Sequence, residues 1–205
     1  MNPQTWWYLS RGSGIVAWVM LAATNLWGIL LVTRMLKPVD RPAWLLDLHR
    51  WLGALAIITT GIHLGALVAD NYAHFGWKEI LVPNGCTGNC WPHASKTAAV
   101  TWGVIAMYIV IVVELSSLMM RKLPRKVWYR IHLFSYVAFF MATVHGALAG
   151  TDRGNTVYIA TVGAVTGGVI LALTARILHF RGKSRIRAEK AASPTNADVP
   201  DNPPA

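Results

Sequence analysis

WLLDLHRWLGALAIITTGIHLGALVAD, from Trp44 to Asp70, is the stretch on which the reading of this chain turns. Between Arg50 and Asp70 its only ionisable side chain is His63, and the run is about as long as a helix needs to cross a bilayer. His49 and His63 are fourteen residues apart. At ~1.5 Å rise per residue that is about 21 Å along a helix, and fourteen steps of about 100° bring the second imidazole back to within roughly 40° of the first. The two therefore share a face, one near each membrane surface. The pattern recurs in VWYRIHLFSYVAFFMATVHGALAG, Val127 to Gly150, where His132 and His145 are thirteen residues apart. Neutral imidazole is the commonest metal-ligating side chain and the usual axial ligand of haem iron. A single histidine inside a membrane often only hydrogen-bonds a neighbouring helix. Two matched pairs predict two stacked metal centres, each a bis-histidine haem. Thirteen steps leave the second pair some 140° out of phase on an ideal helix, so His132 and His145 need overwinding, tilt or different rotamers to meet common partners.

Composition agrees with a membrane setting: 54% of residues are hydrophobic and 14% charged, against about 25% charged in a soluble domain. Five apolar spans are expected, Gly14 to Thr33, Trp44 to Ala69, Thr97 to Met120, Trp128 to Ala149 and Val157 to Phe180. The predicted fold is an all-α polytopic membrane bundle, one domain over residues 1–181, with five transmembrane helices enclosing two haems. Residues 182–205, ending in AASPTNADVPDNPPA, read as a disordered cytoplasmic tail, too polar and proline-rich to bury a core. The first span lacks a basic segment ahead of a short apolar core and so reads as a retained helix rather than a cleaved signal, with Trp6, Trp7 and Tyr8 as an interfacial belt.

The basic residues set the orientation. Three flanks carry Arg34, Lys37 and Arg41; Arg121, Lys122, Arg125, Lys126 and Arg130; and Arg181, Lys183, Arg185, Arg187 and Lys190, thirteen in all. The alternate flanks carry four, Arg11, Lys78, Lys96 and Arg153. The positive-inside rule puts the N-terminus outside a cell membrane and the C-terminus in the cytoplasm. The net charge of +10 is then a topology signal, and a nucleic-acid role is excluded because no basic surface interleaved with exposed aromatics is present. With this topology the second and fourth spans are parallel. His49 with His132 would clasp an inner haem and His63 with His145 an outer one, roughly 20 Å apart.

HRWLGALAIITTGIHLGAL and KLPRKVWYRIHLFSYVAFFMATVH resemble the two haem-binding helices of the ferric reductase-like transmembrane family, which includes ferric reductases, NADPH oxidases and standalone bacterial haem-binding membrane subunits. The likeness runs roughly from Gly14 to Phe180 and is most specific at the basic turn before W-Y-R-I-H and its second histidine. The family usually has six spans, and its oxidases carry a flavin and nicotinamide domain after the last. The resemblance implies a b-type di-haem cytochrome that passes single electrons across the lipid bilayer. Its donor would be a cytoplasmic flavoprotein reductase or membrane quinol, and its acceptor an extracytoplasmic protein, a ferric chelate or oxygen. The competing class is a colourless anchor or scaffold subunit whose histidines only cross-link helices. A small transporter is a third, suggested only by Gly163, Gly167 and Gly168.

Several further residues are candidates. Arg50 and Arg130, beside His49 and His132, suit haem propionates as well as they suit interfacial anchoring. Trp51 and Trp128 could pack on a porphyrin, and Gly53, Gly61 and Gly65 could let a flat macrocycle approach or simply mediate helix packing. Glu114 and Arg176 lie within spans and are expected to be paired or functional. In NGCTGNCWPH, Asn84 to His93, Cys86 and Cys90 do not match the C-x-x-C-H haem-attachment pattern. A local disulfide is expected in an oxidising compartment, a metal or redox site with His74 and His93 being the alternative.

The charge distribution makes a direct prediction. With Cys86 and Cys90 removed, a single cysteine at Asn155 should be labelled from outside intact cells and one at Ser184 only after lysis; the reverse would invert the topology.

Overall fold

The computed structural model describes residues 4–33, 43–70, 75–83, 97–151 and 154–192. The described residues form six helices: α1 (Gln4–Thr33), α2 (Ala43–Ala69), α3 (Trp77–Leu81), α4 (Thr97–Leu118), α5 (Arg125–Ala149) and α6 (Thr156–Ala192). All but α3 are long and apolar enough to cross a membrane. The five expected spans are therefore present, with shifted ends. Helix α1 starts at Gln4, ahead of Gly14, so the aromatic residues Trp6 to Tyr8 are helical. Helix α6 continues beyond Arg181 to Ala192. Beyond Phe180 that extension is mostly lysine, arginine, glutamate and alanine, good helix formers that outweigh Gly182, Ser184 and Ile186, and Arg185 pairs with Glu189 one turn on at 2.9 Å. Helix α3 lies in the segment read as a polar insertion. Its start is tied by Glu79, whose Oε2 accepts from the Gly76 amide at 2.9 Å, and Tyr108 of α4 donates to the Leu81 carbonyl at 2.6 Å. Cys86, Cys90, His74 and His93, with the loop bases Arg34, Lys37 and Arg41, lie outside the described residues.

Helix α1 packs along α2 and α4 along α5; α1 also touches α5, and α2 touches α4. These four close a ring in the order α1, α2, α4, α5, which leaves α2 and α5 at opposite corners across its interior. Helix α6 lies outside the ring against α1 and α5. The dry core is where those three meet: Ala22, Phe139 and Val169 are buried, with Trp18, Phe140 and Val165 packed around them. Trp18 stacks on Phe139 at 6.0 Å and donates to Thr143 at 2.9 Å. One turn or two further along α1, Asn25 accepts from the Ser135 hydroxyl at 2.8 Å and donates to the Ser135 carbonyl at 3.3 Å. In lipid there is no hydrophobic drive between helices, so such close packing and interhelical hydrogen bonds are what hold α1 to α5. The outer surface has the opposite character. Val157 and Leu171 of α6 are 74% and 72% exposed, as suits side chains whose solvent is hydrocarbon.

Phe139 has no exposed surface and no polar role. Phe139→Ala should destabilise the bundle by about 3–5 kcal/mol, read as earlier thermal unfolding in detergent, whereas Leu171→Ala on the outer face should leave the transition nearly unmoved.

A double histidine site in the bundle interior

Across the ring, His49 stands beside His132 with ring centres 5.9 Å apart and planes inclined at 65°. His63 stands beside His145 at 6.4 Å and 76°. Helices α2 and α5 therefore run parallel, with one pair toward each end of the bundle. From helix rise the two pairs are about 20 Å apart.

Each imidazole has a prepared seat on the neighbouring helix of its own hairpin. On α1, the Ser10 carbonyl accepts from His63 Nδ1 at 2.7 Å, and Gly14, one turn on, leaves the ring its room: a Cβ there would lie 2.9 Å from that nitrogen. On α4, the Ala99 carbonyl accepts from His145 Nδ1 at 2.8 Å, and a Cβ on Gly103 would lie 2.6 Å from it. His49 faces Thr24 and Gly28 of α1 in the same way, but its Nδ1 is buried without a regular hydrogen bond. A Cβ on Gly28 would lie 3.3 Å from its Cε1. His132 meets a hydroxyl rather than a carbonyl, Ser117 Oγ at 3.4 Å from Nδ1. A backbone carbonyl can only accept, so Nδ1 of His63 and His145 must carry the proton and Nε2 keeps its lone pair. That is the tautomer and orientation of a metal-ligating histidine with its second nitrogen anchored.

Two further observations bear on a haem. A metal–imidazole bond of roughly 2 Å on each side of an iron calls for ring centres about 6 Å apart, the spacing of both pairs. Among the described residues no three histidine, cysteine or acidic side chains gather. Two protein ligands per site suit a macrocycle that brings its own four donors. The residues present thus fit the group at both levels.

The two levels differ in their surroundings. A cavity of about 1640 Å³, larger than the ~300–1,000 Å³ of common ligand pockets, surrounds His49 and His132 and is walled by Gly28, Glu114, Trp128, Tyr136 and Arg176 among others. Trp128 stacks on His132 at 5.0 Å and 24°. Arg50 borders this cavity but is exposed and reaches Asp47 at 3.3 Å; Arg130 is exposed and forms no part of the wall. Trp51 points largely outward, 65% exposed. Gly53 seats the Glu114 carboxylate, which a Cβ there would approach to 2.6 Å, while Gly61 and Gly65 are exposed with nothing near them.

The seats on α1 and α4 were not expected from the sequence, although a signal is present. Gly14 and Gly28 are fourteen apart, as are His49 and His63, and Gly103 and Ser117 repeat the interval. Tyr129 and Tyr136 carried no signal of their own. They matter because they hold Arg176, whose Nη1 donates to the Tyr136 hydroxyl and Nη2 to the Tyr129 hydroxyl.

Neither a curated protein nor a solved structure matches the chain significantly. A family match does exist: the family described as ferric reductase like transmembrane component covers residues 13–143, from the seat of His63 on α1 into α5 short of His145. Five membrane-length helices and that match, over more than half its length, make the chain a multi-pass membrane protein that belongs to the ferric reductase-like transmembrane component family.

Proposed function

We propose that this protein is a membrane-embedded cytochrome that holds two b-type haems and carries single electrons across the bilayer. The observation that carries the reading is the pair of facing imidazoles at each of two levels, 5.9 and 6.4 Å between ring centres, in a family of redox membrane proteins. His49 and His132 would hold the inner haem, and His63 and His145 the outer. When bound, haem supplies an iron that takes up and releases one electron without a proton of its own. The chain's part is to hold and tune it. The Ser10 and Ala99 carbonyls fix the outer imidazoles and, by drawing on Nδ1–H, make them stronger electron donors. Gly14, Gly28 and Gly103 give the rings room that a Cβ at any of them would crowd.

The excess of basic residues on three flanks supports an N-terminus outside and a C-terminus in the cytoplasm of a cell membrane. Electrons would then enter at the His49 and His132 level, from a flavoprotein or a membrane quinol, and leave at the His63 and His145 level to a protein, ferric chelate or oxygen. The broad cavity at the first level suits a point of entry.

The test is optical. Pyridine haemochrome quantitation should give two haems b per chain, both low-spin. His63→Ala and His145→Ala should each remove the same one, with no further loss when combined; His49→Ala and His132→Ala should remove the other. A haem-supplied preparation without a Soret band would leave the protein a colourless anchor.

The glycine seats predict a graded series. Gly103→Ala should disturb the outer haem most, Gly14→Ala less and Gly28→Ala the inner haem least, following Cβ distances of 2.6, 2.9 and 3.3 Å. Overpacking of about 1–3 kcal/mol at the first site should show as lowered haem occupancy.

A further inference from the structure

Arg176 is buried to 7% exposure on α6, a helix that elsewhere buries only Val169 among its described residues. It lies beyond the residues that the family match covers. Its guanidinium is held against α5, donating to the hydroxyls of Tyr136 and, at 3.1 Å, Tyr129, and lies over the rings of Tyr136 and Phe180 at 5.6 and 5.9 Å. Tyr129, His132 and Tyr136 follow at three and four residues, so they share a face and the guanidinium sits at the level of the His132 imidazole. It also forms part of the cavity wall.

Two neutral hydroxyls occupy two of its five N–H donors. Among the described residues no carboxylate comes within ion-pair distance of it, Glu114 on the same cavity wall included. Stacking over two rings offsets part of the cost of burying a cation, but several kcal/mol of desolvation call for an anion. A planar fork held rigid from behind by two tyrosines, with donors left for the cavity, is matched by a carboxylate bound through two oxygens.

Resting on the two-haem reading, we propose that Arg176 docks a carboxylate of the haem held by His49 and His132, and that Tyr129 and Tyr136 are the positioning residues that aim it. The fixed positive charge favours the reduced haem, which carries one more electron. It raises the midpoint potential at the inner level and leaves the outer level, about 20 Å away, nearly untouched. The electron is thereby drawn to the level at which it enters.

The test is a redox titration of the haem-loaded chain in a His63→Ala background, which retains the inner haem, and in a His49→Ala background, which retains the outer. Arg176→Gln should shift the reduction equilibrium of the inner haem about tenfold toward the oxidised form, which is 59 mV for one electron, and leave the outer haem unmoved. Resonance Raman spectra of the inner haem should show its propionate bending band displaced. Arg176→Lys, which keeps the charge and loses the fork, should displace the band with a smaller change in potential. Should Arg176→Gln lose both haems through misfolding, Tyr136→Phe carries the test, with the same band displaced in a folded chain. An unchanged band in a fully loaded variant overturns the docking, and an equal shift at both levels overturns the assignment to the inner haem. A wild-type chain without haem overturns the two-haem reading instead, so the two failures are distinct.

Discussion

An imidazole N–H inside a membrane has no water to bond, and the rest of this structure follows from where the chain lets it go. Helix interiors offer no free acceptor, because every carbonyl already receives a bond from the amide four residues on. A carbonyl's second lone pair is most open to a bulky ring where the side chain that would crowd that ring is missing. Gly14 stands four residues after Ser10, and Gly103 four after Ala99, so each glycine uncovers the carbonyl one turn before it. The bond to the seat and the gap beside it are one device. Its consequence is directional: with Nδ1 committed to the hairpin neighbour, the other nitrogen must point across the ring of helices.

That constraint also explains why α2 and α5 stand at opposite corners. Each histidine helix is seated on its hairpin partner, α2 on α1 and α5 on α4, and the seats turn the imidazoles inward from both sides. Direct packing of α2 on α5 would close the volume between the rings. The contacts that hold the corners apart lie elsewhere, in the Trp18, Phe139 and Val169 core and in the Asn25 and Ser135 pair between α1 and α5. Helix α6 serves this core and, through Arg176, the wall of the cavity around His49 and His132, while its leucines face lipid.

Much of this was legible in the sequence. Apolar length alone marked the five spans, because the membrane leaves only helices as an option and sets how long each must be. The histidines stood out because ionisable groups are scarce in such spans. Element ends were less legible, since Gln4 to Ser13 and Lys183 to Ala192 form helix through local propensity that a hydropathy window does not register. The phase mismatch of His132 and His145 was visible, but not how it is absorbed. The seats on α4 are fourteen apart and the histidines thirteen. His145 sits tightly on a carbonyl while His132 reaches a longer hydroxyl on Ser117 at 3.4 Å, so the slack is taken up at one end. Glycines were the least legible. Gly53, Gly61 and Gly65 share the histidine helix and drew attention for that reason, whereas the glycines that seat the rings are on the neighbours. A void is defined by what enters it, and that partner is remote in sequence.

The two levels are consequently unequal. On the two-haem reading, the level at which both imidazoles are seated on carbonyls would have fixed, electron-rich ligands, which favour the oxidised iron. Where His49 lacks a regular hydrogen bond and His132 has only a long one, the ligands donate less strongly, and Arg176 adds a positive charge to the same wall. Both differences act in one direction, toward easier reduction at the His49 and His132 level. On that reading an electron handed in there would be held before it is passed on, and its onward transfer to the second level would run against this local gradient. Forward flow would then have to be driven from outside the pair, by a low-potential donor at one face and continual removal of the electron at the other. The proposed wire would take its direction from its partners and the electron's resting place from the hydrogen bonds and charge around each histidine pair.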